Sequence, residues 1–105
     1  MKDDAAAVLG TASNSVTLSN GVVVDFRPPK LKELVEIEKK IGKAVYQSFD
    51  LVETQMLLIA RTGSVGGVPL SQTVVEESWL IEDVLACMPV LLPLLQRSTP
   101  GGSPS

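Results

Sequence analysis

Apolar and polar residues alternate over one short stretch near the start of the chain, Ser15-Val-Thr-Leu-Ser-Asn-Gly-Val-Val-Val-Asp-Phe-Arg27, and beyond it the apolar positions recur at helical intervals. Two β-branched runs flank Asn20-Gly21, a pair suited to the positive-φ positions of a type I′ turn. The pattern predicts a hairpin over 15–27 with strands Ser15–Ser19 and Val22–Arg27. On the second strand Val22, Val24 and Phe26 share the face expected to be buried. Pro28-Pro29 cannot donate to a ladder, and Pro29 suits the first turn of a helix.

Three helical segments are predicted after that junction, over about 30–41, 50–61 and 73–95, so everything past the hairpin reads as helix. In the first, Leu31, Leu34, Val35, Glu38 and Ile41 form one stripe beside Ile37, and Gly42 is the stop. Asp50-Leu-Val-Glu53 places an acid at the N-cap of the second, whose residues Val52, Met56, Leu57, Leu58, Ile59 and Ala60 are so apolar that it needs cover on most sides. Thr62-Gly-Ser-Val-Gly-Gly-Val-Pro69 reads as a flexible connection. Thr73-Val-Val-Glu76 matches a capping box and Ser78 is a second N-cap, which leaves open one long helix or two with a break near 78. Pro89 and Pro93 are expected to kink or end the last helix. Residues 1–14 form a flexible arm and 97–105 a flexible tail on composition. The fold class is therefore α+β: a short N-terminal β-hairpin followed by a small bundle of three to four α-helices in one domain over 15–96.

Composition narrows the function. With 105 residues, 45% of them hydrophobic but only 4% aromatic, the chain builds one aliphatic core. A net charge of −3 gives no basic footprint for nucleic acid. No histidine and a single cysteine leave no metal-ligand spacing and no internal disulfide, so neither metal nor other cofactor is expected. Glu82, Asp83 and two prolines interrupt Trp79–Leu95, the longest apolar stretch, and argue against a membrane helix. Met1-Lys-Asp-Asp lacks the positive charge of a signal peptide, so a cytoplasmic location is expected.

Catalytic groups are scarce. Glu76-Glu77 and Glu82-Asp83 are the paired acids, but neighbours on a helix point about 100° apart, and a solvated face explains them better. Without histidine a Ser-His-Asp arrangement cannot form, and Cys87, set between Ala86 and Met88, reads as a small core residue. The glycine-rich loop is followed by no Gly-Lys-Ser/Thr. No enzyme is expected. The apolar surplus is the better lead: core and interface readings compete evenly for Met56–Ile59. The interface reading is favoured for Leu91–Leu95, because proline-broken apolar segments pack poorly inside a small domain.

Four stretches in this order carry a family resemblance: the hairpin Val16–Arg27, the junction Arg27-Pro-Pro-Lys-Leu-Lys-Glu-Leu34 running into Glu36-Ile-Glu-Lys39, the helix end Leu58-Ile-Ala-Arg-Thr-Gly63, and Ile81-Glu-Asp-Val-Leu85. Together they make the chain resemble, over about Val16–Leu95, the small tail assembly chaperones of long-tailed bacteriophages and prophages. The resemblance implies a non-enzymatic factor of the host bacterial cytoplasm that coats the helical tape-measure protein, keeps it soluble and recruits tail-tube protein. The tube contact is made mainly through a frameshift-extended form where one exists, and self-association into a homo-oligomer is left open. A chaperone for a long amphipathic helix needs an apolar groove of adaptable side chains. Met56, Leu57, Trp79, Met88, Leu91, Leu92 and Leu95 are the residues expected to border it. The competing expectation is a structural tail-completion or connector subunit retained in the virion.

Overall fold

The computed structural model describes residues 14–98. The arm expected over 1–14 and the tail expected over 97–105 lie almost wholly outside them. Arg97 and Ser98, however, belong to the last helix. Among the described residues the architecture is α+β: a four-stranded antiparallel sheet and four α-helices.

Strand β1 (Ser15–Thr17) pairs with β2 (Val23–Phe26) in the register Val16 opposite Val24. The turn between them is not type I′. Gly21 N–H donates to the Leu18 carbonyl at 2.9 Å and Leu18 N–H to the Val22 carbonyl at 2.8 Å, enclosing the three-residue loop Ser19-Asn20-Gly21. Gly21 has φ +90°, whereas no non-glycine residue among those described has positive φ, so Asn20 occupies the second position of a type I turn. Its Oδ1 accepts Val22 N–H at 3.0 Å, a local bond that a type I′ geometry does not require. The longer loop shortens both strands and leaves Val22 37% exposed, so Val24 and Phe26 alone form the buried face.

Helix α1 (Leu31–Ile41) starts from a charged clamp. Arg27 donates through Nη1 and Nη2 to the two oxygens of Glu33 at 2.9 and 2.6 Å, and Nη2 also reaches the Arg61 carbonyl at 2.8 Å. Glu33 in turn accepts Lys30 N–H at 2.8 Å, closing the first turn of the helix from inside. The Arg27 hydrogen bond holds the Glu33 carboxyl below its ordinary value, against the opposing effect of burial. Leu34 and Ile37 face the core, and Gly42 N–H ends the helix on the Glu38 carbonyl. Leu31 and Val35, expected in the buried stripe, are 55% and 49% exposed. Among the described residues α1 packs mainly on α2 and the 3-10 turn, so a narrow stripe suffices.

A single 3-10 turn, Val45–Gln47, leads into α2 (Val52–Thr62). Asp50 does not cap this helix. Leu51 holds that position without a side-chain bond, and the entry is fixed instead by buried polar groups. Thr54 Oγ1 donates to Ser48 Oγ at 3.0 Å, Ser48 Oγ to the Ala44 carbonyl at 3.0 Å, and Gln55 Nε2 to the Phe49 carbonyl at 2.9 Å. α2 is the central post, covered by the other three helices and by the second hairpin, which is how Leu57, Leu58 and Ile59 are all sealed. Each contributes roughly 1.5–3 kcal/mol by burial. Val52, read as part of the apolar stripe, is 53% exposed, while Thr54 and Gln55 take the inward positions.

The segment expected to be a flexible loop forms a second hairpin. β3 (Gly63–Val65) pairs with β4 (Val68–Pro69) and, on its other side, with β2, where Phe26 lies opposite Gly63. The sheet order is therefore β1-β2-β3-β4, with α1 and α2 inserted between its second and third strands. Gly66 and Gly67, at φ +59° and +84°, supply the two-residue type I′ turn that Asn20-Gly21 does not. Pro69 is tolerated because β4 is an edge. Gly63 is required by a close approach: a Cβ there would lie 2.8 Å from Leu70 Cδ1 and 2.9 Å from the Ile59 carbonyl oxygen. These strands are too short for alternation to register along the sequence.

The region 73–95 is two helices. Ser71 caps α3 (Gln72–Ser78) by accepting Val74 N–H at 3.1 Å, ahead of the expected Thr73 box. Trp79 and Leu80 break the chain, and α4 (Ile81–Ser98) follows. Pro89 and Pro93 do not end α4. Both lie on its exposed side, and the Leu85 and Pro89 residues whose carbonyls lose an N–H partner to them are exposed too. Among the described residues no helix is long and apolar enough to cross a membrane.

Candidate partner-docking surface

Between Asp83 and Arg97 helix α4 carries no charged residue, although only one of its faces is covered. The inner face places Val84, Cys87, Leu91, Leu94 and Leu95 in the core. On the outer face Ile81, Leu85 and Leu92 are 52%, 52% and 41% exposed, with half-buried Met88 between them. These four sit at i, i+4, i+7 and i+11, a stripe about 16 Å long at the 1.5 Å rise of a helix. Ala86, Pro89 and Pro93 flank it with further uncharged surface. A helix apolar on all sides belongs in an interior, and this one is half in water.

The residues expected to border a groove divide accordingly. Leu57, Leu91 and Leu95 are 1%, 1% and 3% exposed and belong to the core, so they are corrected from docking positions to packing positions. Because α4 runs on through Pro89 and Pro93, Leu91, Leu94 and Leu95 keep an inward face to occupy. Met56, Trp79 and Met88 are half-buried against that core, and Leu92 alone is open. Ile81 and Leu85 were missed, as was Leu80 at 56% exposure. Their signal was the charge-free run read at helical spacing from Ile81, which the leucine density further along concealed.

Around the start of α4 lies a cleft of about 190 Å³ lined by Leu18, Val22, Leu70, Val74 and Trp79, with Asp83 at its edge. A second cleft, of about 280 Å³, lies beside Arg27 and Arg61. Neither guanidinium is free for an anion there, because Arg27 is paired with Glu33 and Arg61 with Glu36 at 2.5 Å. Asp83 is committed to Ser19, and Glu76 accepts from Gln72 Nε2 at 2.9 Å. Burial, with a smaller effect from Asp83, pushes the Cys87 thiol up to about 12, so it stays protonated and unreactive near neutrality. No cluster of three or more candidate metal ligands occurs among the described residues.

Comparison with protein-family models, curated proteins and solved structures finds no match to this chain. The functional reading therefore stands on the surface itself and on the sequence resemblance.

Proposed function

We propose that this chain is a non-enzymatic tail assembly chaperone that receives helical segments of a tape-measure protein on the outer face of α4, keeps that protein soluble and helps bring tail-tube subunits to it in the host bacterial cytoplasm. The observation that carries the reading is the exposed, charge-free stripe Ile81, Leu85, Met88 and Leu92. An amphipathic helix presents side chains at the same spacings, so the two faces interdigitate. Aliphatic and methionine side chains give adaptable contacts of moderate strength, which suits a partner that is later released. The order of hairpin, Pro-Pro junction and closing Ile81-Glu-Asp-Val-Leu85 supports the phage assignment.

Co-expression with a long helical tape-measure protein tests the reading, scored by how much of that protein stays in the soluble fraction. Leu85→Asp with Leu92→Asp should send it to the pellet while this chain keeps its far-UV circular dichroism, and the milder Leu85→Gln with Leu92→Gln should act in the same direction. Undiminished solubility with both folded variants sinks the assignment of the face. Stoichiometric presence of the chain in purified virions replaces the chaperone by a retained tail-completion or connector subunit.

A further inference from the structure

We propose that in the free protein the apolar stripe of α4 is covered by the same stripe of a second copy, the two helices running antiparallel about a two-fold axis near Ala86 and Cys87. The inference rests on the reading of the α4 face as a docking surface and adds its regulation, since a tape-measure helix then gains the face by displacing the second copy. Ile81, Leu85, Met88 and Leu92 are spaced by four, three and four residues, the alternation of d and a positions along a two-helix coiled-coil seam. That spacing is a palindrome. An antiparallel copy therefore sets Ile81 against the partner's Leu92 and Leu85 against the partner's Met88, and both contacts recur across the axis, as an isologous interface requires.

Charge selects the antiparallel sense. The first turn of α4 carries Glu82 and Asp83 and the last turn Arg97, with no charged residue between them. Parallel copies would set acid beside acid and align the two helix dipoles, whereas antiparallel copies bring unlike ends together. Along the seam itself no charge is taken out of water, so no desolvation penalty opposes the contact. The area sets the strength. A strip about 16 Å long and about 10 Å wide falls far below the ~800 Å² per partner of a standard stable interface. The pairing is accordingly weak and reversible, as a cover that yields to another helix must be.

The test is sedimentation velocity of the full chain over a concentration series. The average mass should climb from that of one chain toward that of two at high micromolar concentration. Leu85→Gln with Leu92→Gln should raise the dissociation constant about tenfold while far-UV circular dichroism stays unchanged. Leu31→Gln with Val35→Gln, at the exposed apolar pair on α1, should leave the dimer intact. Oxidative cross-linking reads the orientation: Leu85→Cys mixed with Met88→Cys should form a disulfide-linked pair faster than either variant alone. The wild type, whose one thiol is the buried Cys87, should form none. A chain that stays monomeric, a dimer indifferent to Leu85→Gln with Leu92→Gln, or faster cross-linking of Leu85→Cys with itself overturns the inference. None of these outcomes touches the tape-measure reading, which the solubility test judges separately. Failure of that solubility test with the dimer present overturns the tape-measure reading and upholds the pairing.

Discussion

The carboxylate of Asp83 accepts two hydrogen bonds from Ser19, one from its backbone N–H at 2.9 Å and one from its hydroxyl at 3.0 Å, joining the turn of the first hairpin to the start of α4. Only 7% of Asp83 is exposed, so the pair acts as a latch between the sheet and the helix that carries the docking face. Asp83→Ala removes both bonds to a charged acceptor at once and should cost about 1–3 kcal/mol. Ser19→Ala removes the hydroxyl bond alone and should cost about 0.5–1.5 kcal/mol. Chemical denaturation of both variants, with urea midpoints compared at constant slope, checks the order.

The Arg27–Glu33 clamp makes the β2–α1 junction acid-sensitive. Glu33 has its carboxyl lowered on folding, so the stability it contributes is complete above the ordinary carboxylate range and is lost as pH falls through the lower folded value. Glu33→Gln should flatten that part of the stability–pH curve below about pH 4.5, measured by thermal melts. Arg27→Lys keeps the charge but cannot reproduce the fork to Glu33 or the bond to the Arg61 carbonyl, and should cost about 1 kcal/mol.

Leu91 and Leu92 are adjacent but have different roles. Leu91→Ala opens a cavity in the core and should destabilise by about 2–5 kcal/mol. Leu92→Ala should change stability by about 1 kcal/mol or less, since its side chain already meets water. Equilibrium unfolding of the two variants side by side decides whether the inner and outer faces of α4 are assigned correctly.

Cys87 is fully buried with its thiol raised to about 12. In the unfolded chain it ionises near its ordinary value, so above about pH 9 the unfolded state holds fewer protons than the folded one and stability falls as pH rises. The slope is at most about 1.4 kcal/mol per pH unit. Cys87→Ala should remove this alkaline decline. A thiol reagent at pH 8 should label the wild type only on unfolding.

The sequence by itself determined the elements whose partners are close along the chain: the first hairpin, the α1 stop at Gly42 and the central α2, while it left open whether 73–95 breaks near Ser78. Those features depend on dihedral preferences and side-chain spacing, both written locally. The second hairpin escaped because β3 and β4 span so few residues that they exist only by pairing with β2, and Gly63 is a strand residue only because Phe26, Ile59 and Leu70 crowd it. The face of α4 was likewise undecidable from a helix apolar all round. Which leucines became core and which stripe stayed in water depended on the direction from which α2 covers α4, a relation that tertiary packing alone sets.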